Sequence, residues 1–260
     1  MARRLVLRWT GLGYLAALLL APLSLVFWRA FEHGLDQAWA AITTPAAVHA
    51  FKITLLITAI AVPANTAFGI VAALAIVRTR FPGKGIVNAV VDLPLALSPV
   101  VVGLSLFLLY GRGGWFGDAP VDVLFALPSM ILATIFVSLP FVVREVVPVL
   151  REIGTDQEQA AATLGASDWQ VFRRITLPAI RWAVAYGVVL TTARSLGEYG
   201  AVAVVSGRLA GETETATLHV DERFQAFDLV GAYASSVVLA LAAVTVLIAM
   251  SFLRPKEGVA

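Results

Sequence analysis

From Ile53 to Val77 the chain runs 25 residues without a charge, and that one stretch leaves it few ways to fold. A helix lying on a soluble domain carries polar residues along its outer face. A single strand of this length would extend about 80 Å. A helix crossing a bilayer needs about 20 mostly apolar residues and no polar face. The pattern recurs: 9–28, 123–143 and 229–253 are also uncharged, 86–110 holds only Asp92, and 182–205 holds only Arg194 and Glu198. Six such stretches predict an all-α membrane protein with six transmembrane helices, forming one membrane domain over residues 1–260. Charged residues make up 14% of the chain, against about 25% in soluble domains.

The first stretch follows Arg3, Arg4 and Arg8, as a signal peptide would. It is long enough to span, and no clear A-x-A site lies directly behind it, so it is read as an uncleaved first helix. Lys and Arg in the flanks set the orientation. The N-terminus, 78–85, 144–181 and the C-terminus (Arg254, Lys256) hold thirteen; the other flanks hold five, at Arg29, Lys52, Arg112, Arg208 and Arg223. Both termini are therefore expected in the cytoplasm, with 144–181 as a cytoplasmic loop.

Local signals refine this plan. TTPAAVHAF, inside the outer loop 29–52, reads as a short interfacial helix. Pro94 and Pro99 each remove a backbone hydrogen bond, so the third span should be kinked or broken near 92–99. Asp92 is expected to serve as a cap or inter-helix partner. Pro140 should kink the inner end of the fourth span. The turn GRGGWFGD at 111–118 is Gly-rich. The outer segment 206–228 carries Glu212, Glu214, Asp221, Glu222 and Asp228 against Arg208 and Arg223. It reads as a solvated acidic loop, or as a docking surface for an extracytoplasmic partner.

Several chemistries lack their residues. There is no cysteine, which removes disulfides and thiolate chemistry. No G-x-x-x-x-G-K-[ST] is present, so the chain has no phosphate-binding loop. His33, His49 and His219 stand apart, without a second ligand at metal spacing. No G-x-S-x-G elbow occurs. No cofactor or metal is expected on this chain, and no nucleic acid. Only Asp92 and Glu198 are carboxylates within spans, few for ion-coupled transport.

Residues 158–178, EQAAATLGASDWQVFRRITLP, depart from their apolar surroundings. Residues 155–166 should form a short helix along the membrane. Thr155 is its N-cap, and Glu158, three residues on, completes a capping-box pattern. Ala160, Ala161 and Ala162 favour helix and a smooth surface, and Gly165 ends it through positive φ. Trp169, Phe172 and Ile175 recur every third residue and should rest at the interface, with Arg173 and Arg174 at headgroup level. On these residues alone, an ordinary capped loop helix serves as well as a docking element.

The stretch also resembles the cytoplasmic signature of ATP-binding-cassette importer permeases: E-A-A, three residues, Gly, nine residues, I-x-L-P. Here Gln159-Ala160-Ala161 precede ATL, Gly165, nine residues and Ile175-Thr176-Leu177-Pro178. The signature Glu falls on Gln159, with Glu158 one position earlier. SPVVVGLSLFLLYG (98–111), LPFVVREVVPVL (139–150), residues 164–207 and RLAGETETATLHV (208–220) resemble the W-type (CysW) permeases of sulfate/thiosulfate importers. Molybdate/tungstate importers share the signature and are the alternative; a passive anion channel is a different class again.

The resemblance implies the type I ABC importer permease fold in the cytoplasmic (inner) membrane. It implies a CysT-like second permease subunit, two ATPase subunits that bind ATP and magnesium, and an extracytoplasmic sulfate/thiosulfate-binding protein. It assigns ATPase coupling to Glu158, Gln159, Ala160, Ala161 and Gly165. Within the membrane, Arg194 and Glu198 lie four apart and can pair, as a structural pair or beside the sulfate path. Ser98, Thr191, Thr192 and Ser195 offer hydroxyls to a dianion that must not be trapped. The path is expected along spans three and five, at the interface with the second subunit.

Overall fold

The computed structural model describes residues 2–117 and 123–253, and within them the chain is all helix, with no strand. Arg254, Lys256 and Asp118, used above for orientation and for the outer turn, lie outside the described residues. In chain order the helices are α1 (Ala2–Phe31), α2 (Leu35–Ile42), α3 (Pro45–Arg78), α4 (Lys84–Ala96), α5 (Pro99–Tyr110), α6 (Leu127–Ser138) and α7 (Pro140–Glu152). After them come α8 (Asp156–Thr163), α9 (Asp168–Val171) running into a π-helical turn (Phe172–Thr176), α10 (Leu177–Leu196), α11 (Val202–Val205), α12 (Ala216–Gln225) and α13 (Leu229–Leu253). Among the described residues, five stretches are long and apolar enough to span: Arg8–Phe31, Pro45–Arg78, Leu127–Glu152, Asp168–Leu196 and Leu229–Ala249. The pair α4 and α5 makes a sixth if counted as one.

α3, α7 and α10 form the packed centre of the bundle. In lipid there is no hydrophobic force between helices, so close backbone approach has to hold them. Gly69 of α3 and Gly187 of α10 supply it, both against Val142 of α7. A Cβ on Gly69 would lie 2.6 Å from Val142 Cβ, and one on Gly187 would lie 2.7 Å from Val142 Cα. α1 packs at the edge, on α13 and α2.

Proline breaks are repaired locally. Pro140 cannot donate, and the Leu139 N–H turns to the Phe136 carbonyl at 3.4 Å, which leaves the Ile135 carbonyl free. Asn65 Nδ2 takes it at 3.0 Å and also donates to Ser138 Oγ at 2.8 Å. A polar residue in the middle of α3 thus satisfies the backbone freed in its neighbour. The third span is fully broken: α4 and α5 meet at 111°, with Leu97 and Ser98 extended between them. Ser98 precedes a proline, which disfavours helical backbone there. α5 then lies against α11, where a Cβ on Gly103 would lie 2.7 Å from the Ala201 carbonyl.

Four expectations change. TTPAAVHAF is not a separate interfacial helix: Pro45 is the first residue of α3, Thr44 caps it by accepting the Ala47 N–H, and the short helix is α2 before it. Proline suits a helix start because the missing N–H is an orphan there anyway. The fourth span continues to Glu152, so the loop assigned to 144–181 begins later. It also ends earlier, because Asp168 onward is helical and continuous with the fifth span. That span stops at Leu196, not 205, because Gly197 and Gly200 interrupt it and α11 turns into the core. The segment 206–228 is not a plain solvated loop, since it contains α12.

Candidate coupling and translocation sites

The segment 155–166 folds as a short helix held by different contacts from those expected. Thr155 occupies the N-cap position, but its hydroxyl caps no backbone N–H; it accepts from Gln159 Nε2 at 3.0 Å. Glu158 does not reach back to complete a box. The capping box lies one element later, where Ser167 N–H donates to Gln170 Oε1 (2.9 Å) and Ser167 Oγ accepts the Gln170 N–H. Gly165 has φ +86° and closes α8 with a Schellman pair: Ala166 N–H to the Ala161 carbonyl at 3.1 Å and Gly165 N–H to Ala162 at 3.0 Å. Gln159 and Ala160 stand exposed, and Leu164 is 89% exposed at the tip.

Glu158 turns inward to Arg78, the last residue of α3. Arg78 Nε sits 2.9 Å from Glu158 Oε2, and Nη2 donates to Glu158 Oε1 at 3.1 Å and to the Gly154 carbonyl at 2.7 Å. Nη1 donates to the Leu150 carbonyl at 2.9 Å. Thr176 Oγ1 donates to the same Glu158 oxygen at 2.8 Å. Nearby, Trp169 and Phe172 put their ring centroids 5.6 Å apart, with Arg173 and Arg174 exposed beside them.

At the opposite end of the bundle, Arg194 Nη2 lies 2.7 Å from Glu198 Oε2. Glu198 stands just beyond the end of α10, where its other oxygen accepts the Ala201 N–H at 2.8 Å. Its carbonyl accepts Thr217 Oγ1 at 2.7 Å. Ser195 and Glu198 border a small void with Thr54, Thr134 and Thr215. Thr191 and Ser195 are buried within this subunit, and neither hydroxyl has a hydrogen-bond partner. Thr192 bonds the Val188 carbonyl at 2.7 Å and, like Arg194, is partly exposed. Ser98 is exposed at the start of α5, next to Pro99, which packs on Gly200. Ser98, Thr192 and Arg194 therefore keep accessible surface, while Thr191 and Ser195 are core. Asp92 pairs with Arg144 Nε at 2.7 Å.

Two groups escaped the sequence reading. Thr54 Oγ1 accepts the Ala216 N–H at 2.8 Å, fastening α12 to α3. Glu214 and His219, both buried, meet at 3.2 Å. Burial pushes the Glu214 carboxyl up, but hydrogen bonds from His219 and Glu222, with the charges of His219 and Arg223, outweigh it and hold it below 4.5. Glu222 goes the other way: its hydrogen bond to Glu214, then burial and the Glu214 charge, raise it above 4.5. Glu214 lies before α12, which carries His219 and Glu222, so spacings of 5 and 8 across the helix start carry no sequence signal; only the fold brings Glu214 to them.

The family model for binding-protein-dependent transport system inner membrane components matches residues 65–256. The sulfate transport system permease protein CysW of Synechocystis sp. is 46% identical over 252 residues, 95% of this chain and 91% of that protein. CysW of Escherichia coli K12 is 44% identical, covering 94% and 86%, and the sulfate transport system permease protein CysT of the same strain is 38% identical, covering 96% and 91%. A crystal structure of a bacterial ABC transporter involved in alginate import superposes with a TM-score of 0.78 at 20% identity, covering 95% of this chain and 92% of that one. The chain belongs to the family of binding-protein-dependent transport system inner membrane components and resembles its CysW permeases along nearly its whole length.

Proposed function

We propose that the chain is the membrane-spanning subunit of an ATP-driven importer that carries sulfate and thiosulfate across the cytoplasmic membrane. The observation that carries this reading is its similarity, over nearly the full length, to proteins named for sulfate transport. In this reading both termini and the Arg78 end of the bundle face the cytoplasm, and the Glu198 end faces outward. A CysT-like second permease subunit completes the channel, an extracytoplasmic binding protein delivers the anion, and two ATPase subunits hold and hydrolyse ATP with magnesium.

α8 is the coupling helix. Its exposed face, Gln159, Ala160 and the apolar Leu164, seats in the ATPase. Trp169, Phe172, Arg173 and Arg174 hold the segment at the lipid interface. The anion passes along α5 and the outer end of α10, by Ser98, Thr192 and Arg194. Glu198 neutralises Arg194, so the guanidinium attracts a dianion without holding it fast. Expression with the second permease, the ATPase and the binding protein should restore labelled sulfate uptake to cells lacking their own sulfate importer. Uptake without the ATPase would point to a passive channel, and molybdate uptake in place of sulfate to the other oxyanion class.

A further inference from the structure

We infer that Arg78 is the positioning residue that locks the coupling helix to the transmembrane bundle, so that a displacement of α8 moves α3, α7 and α10 together. The inference rests on α8 being the coupling helix. Four segments meet at this one side chain: α3, which carries it; the last turn of α7 and the Gly154 turn, through the carbonyls of Leu150 and Gly154; α8, through Glu158; and the π-helical start of the fifth span, through Thr176 on Glu158. The guanidinium donates three hydrogen bonds, to the two carbonyls and to Glu158 Oε1, and its Nε lies 2.9 Å from the second Glu158 oxygen as an ion-pair contact, a planar spread that an ammonium cannot reproduce.

Ordinary surface ion pairs are loose and contribute little. This one differs: its side chains are 16% and 19% exposed, against 57% and 41% for Arg144–Asp92. Its carbonyl partners lie at and just beyond the C-terminal end of α7, where a cation is favoured. The division of labour at the signature also becomes definite. Glu158 is committed inward, so it cannot stand in for the missing signature Glu on the outer face, and the ATPase meets the neutral Gln159. Without the Arg78 fork, α8 would hang from the Gly154 and Gly165 turns, both at positive φ.

The test uses the complete reconstituted complex, with sulfate-loaded binding protein. Three quantities are read: retention of the ATPase, stimulation of ATP hydrolysis, and sulfate moved per ATP. Arg78→Ala should keep the ATPase bound and its basal hydrolysis, yet lower stimulation and sulfate per ATP about tenfold. Arg78→Lys should recover only a minor part of that loss. Glu158→Gln should lower stimulation and sulfate per ATP in the same direction but by less, since the bonds from Arg78 to the Leu150 and Gly154 carbonyls remain, and the double variant should be no worse than Arg78→Ala, because the Glu158 contact is already lost there. If Arg78→Ala fails to insert, Glu158→Gln alone carries the test. Wild-type sulfate per ATP in either single variant, additive losses, or full rescue by Lys would overturn the inference. Leu164→Glu separates the two readings. Loss of the ATPase from Leu164→Glu with normal coupling in Arg78→Ala defeats only the Arg78 inference; an ATPase still bound and stimulated in Leu164→Glu defeats the coupling-helix reading itself.

Discussion

Arg194 and Glu198 form a 2.7 Å ion pair in which the guanidinium is 30% exposed and the carboxylate 2%. The acid is thus the structural half, fixed by the Ala201 N–H, and the base is the half that faces out. Removing the base strands a buried carboxylate, whereas neutralising both halves does not. Arg194→Ala should lower thermal stability of the detergent-solubilised subunit by about 2 kcal/mol. Arg194→Ala/Glu198→Gln should regain most of it while still failing to transport. Equal melting of the two variants would remove the asymmetry.

Gly165 holds φ +86°, which costs a residue with a Cβ about 1 kcal/mol. Gly165→Ala should therefore loosen the end of α8 slightly, and Gly165→Pro, which cannot adopt that φ, should break the Schellman closure. The subunit should stay in the membrane in both cases. Sulfate uptake measured against ATP consumed should fall strongly in Gly165→Pro, and unchanged coupling there would contradict the assignment of α8.

Gly69 and Gly187 both press on Val142, with no room for a Cβ. Gly69→Ala and Gly187→Ala should each destabilise by about 1–3 kcal/mol through overpacking. Gly85, in α4, has nothing within 4 Å of an added Cβ, so Gly85→Ala should be neutral or stabilise by about 0.5–1 kcal/mol through helix propensity. Melting curves of the three variants check the contrast.

The pH response of the outer segment has a defined sign. Glu214 is held below its ordinary 4.5, so its contribution is present above that value and is lost as pH falls through the lowered one. Glu222 is raised above 4.5, so its contribution is present below 4.5 and is lost as pH rises through the raised value. On these two groups, with Arg208, Asp221, Arg223 and His219 around them, residues 214–222 should be best protected in mildly acidic solution near 4.5. Hydrogen exchange against pH should show this, and Glu222→Gln should abolish the loss on the alkaline side while keeping the acid one.

The apolar runs and the break between Pro94 and Pro99 were legible because both follow from one-dimensional facts: length without charge, and missing donors. The end of α10 was misplaced because hydropathy reports burial, not helix. Val202 and Val205 are as buried in α11 as a spanning residue would be, and only Gly197 and Gly200 marked the change. TTPAAVHAF was read as a separate short helix because the charge at Lys52 marked the start of the apolar run, whereas Pro45 starts α3. Arg78 was visible only as a flanking charge, since Glu158 lies 80 residues away and nothing local links them.

The proposed coupling of sulfate delivery to a partner ATPase is open to direct measurement. The most direct measurement is ATP hydrolysis by the reconstituted complex with binding protein loaded with sulfate, loaded with molybdate, or empty. Stimulation by sulfate-loaded protein, with little from the other two, is the predicted result. Equal hydrolysis in all three, or stimulation by molybdate alone, would contradict it.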